Sequence, residues 1–144
     1  MPRLLLFVPC ERVLLNQGDN NISLITVLEE IGVSLPAPEK VPPDSRIPAN
    51  WQILVVWLWE PSEAGKRFEM VCTLVLPDGS SLTPFRAFME RAGRTHRQIV
   101  TLRHFPLSKV PGEYVLGLSL REDIEGAPLH KVAEYPFLFK HDPT

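Results

Sequence analysis

Residues 107–120 read LSKVPGEYVLGLSL, and this stretch is the strongest indication of the fold class. Its last five residues alternate leucine with glycine or serine, which is the period-two pattern of a strand with one buried face. Tyr114 follows a Pro-Gly turn, so its ring can pack inward while its hydroxyl bonds to the backbone upstream. We therefore predict a strand at the corner of a two-sheet β protein, in which Gly112 and Tyr114 have structural roles.

Apolar runs with the same period recur along the chain, separated by turn signals. Fifteen prolines among 144 residues argue against long helices. We predict one all-β domain over 1–144, an immunoglobulin-like antiparallel β-sandwich of about eight strands. The predicted strands are Leu4–Leu15, Ile22–Ile31, Trp51–Glu60, Arg67–Leu76, Leu82–Arg91, Ile99–Phe105, Glu113–Arg121 and Leu129–Phe139.

Two segments depart from the simple strand pattern. The dipeptide Thr83-Pro84 is also a helix start signal, so residues 82–91 are open between a strand and a short helix, and the β context favours a strand. Residues 33–50 carry five prolines. We predict a long proline-rich loop there, between the second and third strands, extended enough to act as a strap across the sandwich.

The composition limits the classes of partner. A formal net charge of -2 and a hydrophobic fraction of 44% are typical of a soluble globular protein and create no field that attracts nucleic acid. The apolar run Leu4–Val8 is too short for a secretory signal, and no stretch is long enough for a membrane helix. Two cysteines are too few for a disulfide scaffold, so we predict a cytoplasmic protein with both thiols reduced.

Signatures of catalysis and of metal binding are absent from the sequence. It has no GxSxG elbow, no P-loop and no GxGxxG motif, and its four histidines lack the short spacing of metal ligands. The prediction is therefore no catalytic residue, no metal and no cofactor.

A basic stretch holds Arg91, Arg94 and Arg97, with Glu90 as the acidic residue beside them. Such a cluster is a candidate patch for an anion or an acidic partner surface. The stretch from Arg91 to Arg97 has no interleaved aromatic residues and the chain is acidic overall, so nucleic acid is disfavoured and a solvated loop is the simpler interpretation.

The third predicted strand, WQILVVWLW at 51–59, is apolar on both faces apart from Gln52. One face of a strand in an antiparallel sandwich normally meets water, so this strand requires a second cover, either the proline-rich strap or another copy of the protein. The candidate interface comprises Trp57 and Trp59 on one face and Leu54, Val56 and Leu58 on the other. Exposed indoles would alternatively form a stacking platform for carbohydrate, and the simplest alternative is that most of these residues are core.

Three segments carry a resemblance to a known family: LFVPCERV at 6–13, NISLITV at 21–27 and PGEY at 111–114. They resemble a bacterial family of small, stand-alone, immunoglobulin-like β-sandwich proteins of unknown function. The resemblance extends over nearly the whole chain and implies the sandwich fold and a bacterial, cytoplasmic setting. It brings no activity, cofactor or catalytic residue.

The resulting hypothesis is a non-enzymatic interaction module that offers a sheet face or edge to another protein, including a second copy of itself as a homodimer. The alternative is a β-sandwich that binds carbohydrate or another small ligand through exposed tryptophan rings.

Overall fold

The computed structural model describes residues 1–16, 18–19, 21–35, 45–108 and 110–143, with the backbone alone at 33–35 and 141–143. Within these ranges the chain forms nine strands and one short 3-10 turn, Pro61–Glu63. The strands are β1 Arg3–Leu15, β2 Ile22–Val27, β3 Glu30–Leu35, β4 Arg46–Leu58, β5 Arg67–Val75, β6 Ser81–Glu90, β7 Thr95–Pro106, β8 Gly112–Glu122 and β9 His130–Pro143.

The strands form two sheets, which confirms an all-β protein with the layers of a sandwich. Sheet A has four strands in the order β2-β1-β4-β7, and sheet B has five in the order β3-β9-β8-β5-β6. All neighbours are antiparallel except β3 and β9, which run parallel, so the prediction of a wholly antiparallel sandwich was wrong in that one pairing.

The structure has nine strands where about eight were predicted, because the predicted strand Ile22–Ile31 is two strands in different sheets. Thr26 has a positive φ of 53°, a conformation that β-branched residues rarely adopt. After it, the Leu28 amide donates to the Pro9 carbonyl in sheet A, whereas the Glu29 carbonyl accepts from the Leu138 amide in sheet B. The chain thus changes sheets at residues 28 and 29.

The proline-rich segment is shorter than the predicted loop 33–50. Residues 33–35 belong to β3 and residues 46–50 to β4, while residues 36–44 lie outside the described residues. Pro48 is accommodated within β4 because the register with β7 shifts between Pro48 and Trp51. Such an irregularity is one of the few places where a sheet tolerates a proline.

Residues 82–90 of the segment 82–91 form a strand, as the β context favoured, since β6 covers Ser81–Glu90. Cys72 pairs with Phe85 and Leu74 pairs with Leu82, so two residues of β6 stand opposite one residue of β5. Pro84 therefore lies in a bulge on an edge strand, where it removes no hydrogen bond from the sheet.

The core lies between the two sheets and is rich in aromatic residues. Phe105 of β7 packs against Tyr114 of β8 and against Phe137 and Phe139 of β9, with ring centroids 5.2 to 5.8 Å apart. Cys72 is fully buried among these core side chains. The inward residues of β4 complete the core from sheet A, and they include the tryptophans.

Candidate functional site

The inner face of β4 is core along its whole length. Trp51 and Trp57 are 4% and 0% exposed, and Trp59, just beyond the strand, is 4% exposed. The carbohydrate alternative depended on exposed indoles, whereas all three are buried, as the simplest interpretation of the sequence had it. The three rings pack inward because they alternate with the outward side chains at the period of two that a strand imposes.

The outer face of β4 is also buried, and the cover comes from the same chain. Leu54 is 0% exposed and Val56 is 8% exposed, and both cluster with Val8 of β1. Five partly buried side chains pack against this cluster: Val13 of β1, Ile22 and Leu24 of β2, Ile99 of β7 and Tyr135 of β9. Leu58, at the end of β4, is half-buried.

Gln52 holds the β1–β2 hairpin at this face. Its Oε1 accepts a hydrogen bond of 2.6 Å from the Val13 amide, and its Nε2 donates to Thr101 Oγ1 at 2.9 Å. The polar residue that interrupts the apolar strand thus links the hairpin, β4 and β7. Leu54 and Val56 are consequently covered by the hairpin and do not form an open interface. The central part of the predicted strap, residues 36–44, lies outside the described residues.

Covering β4 leaves the hairpin itself as the outermost layer. Arg12 pairs with Ile25 and Cys10 pairs with Val27, so Ile25 and Val27 point to the side opposite Leu24. Ile25 is 41% exposed and Val27 is 40% exposed. Leu14 of β1 is exposed on the same side of the hairpin.

The strand β2 is also an edge of sheet A, and its composition differs from that of the other edges. Its six residues, ISLITV, contain no charge and no proline. The edge strand β6 carries Pro84, Arg86 and Glu90, and β7 carries two arginines and two histidines. The edge strand β3 carries Glu30, which pairs with Lys140 at 2.9 Å. Among the described strands, β2 is the unprotected edge.

The predicted basic patch is divided between a turn and a strand. Arg91 and Arg94 lie in the connection from β6 to β7, whereas Arg97 lies on β7 opposite Val56. The Arg91 guanidinium donates to the Pro61 carbonyl at 3.0 Å, so part of its hydrogen-bonding capacity serves the fold.

Tyr114 forms the predicted corner. Its hydroxyl donates to the Pro106 carbonyl and accepts from the Ser108 amide, each at 2.8 Å, which fixes the end of β7. Burial raises the pKa of Tyr114 above its usual value, the Ser108 amide opposes that rise, and the charge of Asp78 adds to it. Gly112 has a φ of 149°, and a Cβ there would lie 3.3 Å from Pro77 Cβ, so glycine fits the entry to β8.

The two thiols are buried and unpaired. Burial raises the pKa of Cys72 to about 12, and it also raises the pKa of Cys10 against a lowering hydrogen bond from the Arg12 backbone. Both side chains are therefore protonated at neutral pH and are poor nucleophiles. No group of three or more metal-ligating side chains occurs in the described ranges.

No family model matches the chain, and no curated protein matches it. In the part of the chain that the structure describes, no helix is long and apolar enough to cross a membrane. The function therefore has to be inferred from the surface. Sequence reasoning missed the edge at β2, although the uncharged run NISLITV at 21–27 was the signal that could have found it.

Proposed function

We propose that this protein is a non-enzymatic interaction module with an immunoglobulin-like sandwich, and that it self-associates by pairing the β2 edges of two copies. The observation that carries the proposal is the edge strand β2, which has no charge and no proline and exposes the β-branched side chains of Ile25 and Val27. Free edges of this kind present unpaired backbone donors and acceptors to any second strand.

The immunoglobulin-like arrangement is supported by strand order. In that fold, strands C, F and G are neighbours and C′ lies beyond C. Strands β5, β8 and β9, with β6 beyond β5, have the same order. The corner at Tyr114 lies at the start of β8, which is the position of the tyrosine corner on strand F.

A second copy is the partner that the edge chemistry favours. Two identical strands can pair antiparallel about a two-fold axis, so that each satisfies the backbone groups of the other. Pairing through β2 would extend two four-stranded sheets into one continuous sheet of eight strands. It would also bring Ile25 and Val27 of both copies together and remove them from water.

The other edge of sheet A opposes such pairing. The edge strand β7 carries Arg97 and Arg103 together with His96 and His104. Two β7 strands side by side would juxtapose like charges, which is destabilising. The bulge around Pro84 interrupts the regular edge of β6 in the other sheet.

The setting that we propose is a reducing cytoplasm. The support is that Cys10 and Cys72 are both buried thiols that take part in no disulfide.

The proposal is tested by sedimentation and light scattering of the whole chain over a concentration range. The wild-type protein should show a reversible dimer, and Ile25→Lys should be monomeric because it places a charge on each side of the dyad. Ile25 is 41% exposed, so a lysine there can reach water and the fold is retained. Val75→Lys is the matched control, since Val75 has the same exposed fraction on β5 and should leave the dimer intact.

A wild-type protein that stays monomeric at all accessible concentrations would overturn the proposal. A dimer that survives Ile25→Lys but dissociates in Val75→Lys would place the interface on sheet B and would also contradict it. Circular dichroism of both variants separates loss of association from loss of folding.

A further inference from the structure

A cleft opens at the side of the sandwich where the edge strands β6 and β7 approach each other, away from β2. Its volume is about 300 Å³, which is at the lower end of the range for small-molecule sites. Its apolar lining comes from both sheets and comprises Trp51 of β4, Leu74 of β5, Leu82 of β6 and Leu102 of β7.

The rim of the cleft is basic. Arg46 of β4 and Arg103 and His104 of β7 line it, and none of the acidic residues that the structure describes does. Within the described ranges, neither guanidinium has a carboxylate within salt-bridge distance, whereas the buried Glu69 of sheet B has Arg121 at 2.6 Å. An arginine without a protein partner retains its planar set of donors for an anion.

The polar group that Trp51 brings to the interior of the cleft already has a hydrogen-bond partner in the protein. The Trp51 indole donates to the His104 carbonyl at 3.0 Å, so this polar pair is already matched. Thr83 and Pro84, in the bulge of β6, line the cleft on the side of sheet B. The remaining requirements are an apolar body against the lining and a negative group at the rim.

We propose that this cleft binds a small amphipathic carboxylate, with its hydrocarbon part on the exposed Leu82 and the partly buried Leu102 and its carboxylate between Arg46 and Arg103. Charge complementarity selects the head group, because a neutral head would leave both guanidinium groups unpaired and a cationic head would be repelled. The site is independent of β2, so its failure and the failure of the proposed dimer are distinguishable.

The test is an NMR titration of the full chain with octanoate, followed at the three indole N–H signals. Binding should shift the Trp51 signal saturably, while Trp57 and Trp59 serve as internal controls because neither ring lines the cleft. Octanol, which has the same chain without the charge, should bind at least about tenfold more weakly because it lacks the charge-assisted hydrogen bonds. Octylammonium and acetate should produce no saturable shift.

Variants then assign the charge preference to the rim. Arg46→Gln and Arg103→Gln should each reduce the preference for octanoate over octanol, and the double variant should abolish it. Arg94→Gln, an exposed arginine in the turn before β7, is the matched control and should bind as the wild type does. Equal affinity for octanoate and octanol, absence of a saturable Trp51 shift, or an unchanged preference in the double variant would overturn the proposal.

Discussion

The two edges of sheet A, β2 and β7, have opposite surface chemistry. The edge strand β2 contains no charged residue, and its outward residues Ile25 and Val27 are about two-fifths exposed. The edge strand β7 carries two arginines and two histidines over twelve residues. Its last residue, Pro106, accepts a hydrogen bond from the Tyr114 hydroxyl. Charged edges resist pairing with other chains and uncharged edges invite it. The two edges of sheet A therefore differ in function: β2 can pair with a strand of another chain, whereas β7 lies beside the basic cleft.

The most apolar strand of a chain need not be its interface. The strand β4 is apolar on both faces, yet its outer face is covered by Val13, Ile22 and Leu24 of the β1–β2 hairpin. The hairpin buries its inner side chains there and exposes the outer ones. The candidate interface is therefore β2, which is exposed, and not β4, which the hairpin covers.

The largest effect expected is on stability and tests the cover over β4. Leu54→Ala should lower the free energy of unfolding by roughly 2–5 kcal/mol, because it removes a fully buried side chain and leaves a cavity under the hairpin. Urea denaturation followed by fluorescence measures it. Leu138→Ala is the control, since Leu138 is 38% exposed on β9 and should change stability much less. A small loss at Leu54 would mean that the hairpin does not cover this face.

The next effect concerns the end of β7. Tyr114→Phe should cost about 1–3 kcal/mol, because the Ser108 amide and the Pro106 carbonyl lose a buried partner. Thermal and urea unfolding of the two proteins at neutral pH measure the difference. A stability equal to that of the wild type would show that the corner hydrogen bonds contribute nothing net.

The same tyrosine gives a pH dependence with a defined sign. Because the pKa of Tyr114 is raised in the folded chain, the protonated phenol stabilises the fold below the ordinary value of 10.0, and this contribution is lost as the pH rises above it. Stability measured from pH 8 upward should therefore fall in alkali. The fall should be shallower in Tyr114→Phe, and an identical fall would assign it to other groups, including Tyr135, whose pKa is raised by burial and by Glu29.

The smallest effect expected is a difference between the two thiols. Cys10 lies on β1 between Val27 of β2 and Gln52 of β4, so opening of the edge hairpin exposes it. Cys72 lies on β5, between β8 and the edge strand β6, and its side chain is in the core between the sheets, so it is exposed by opening of the core. Alkylation of the native protein, read by mass spectrometry, should modify Cys10 faster by roughly fivefold or more, corresponding to about 1 kcal/mol of easier opening. Equal rates would mean that the hairpin opens only with the whole domain.

Much of the architecture was predictable from periodicity and turn chemistry. The alternation after Tyr114 and the Pro-Gly turn identified β8 and its corner because both signals are local. The split at Thr26 was not predictable, since the run ISLITVL at 22–28 continues through it without a glycine or proline. The change of sheet depends on partners at Pro9 and Leu138. The exposure of Trp57 was open for the same reason, because it depends on which face of β4 meets sheet B.

The candidate site was harder to predict than the fold. A two-sided apolar strand signals that a cover exists but does not identify it, and Gln52 gave no sign that its side chain binds the Val13 amide 39 residues away. The edge position of β2 follows from strand order, which depends on long-range pairing rather than on local sequence. Its lack of charge could be read from the sequence, but its significance required the topology.

The central claim is that β2, and not β7, is the edge through which this protein pairs with another copy. Amide hydrogen exchange of the wild-type chain, measured residue by residue at low and high protein concentration, tests it most directly. Protection of the backbone amides from exchange should rise with protein concentration along Ile22–Val27 and stay unchanged along Thr95–Pro106. Protection that rises along β7, or that does not change with concentration at β2, would contradict it.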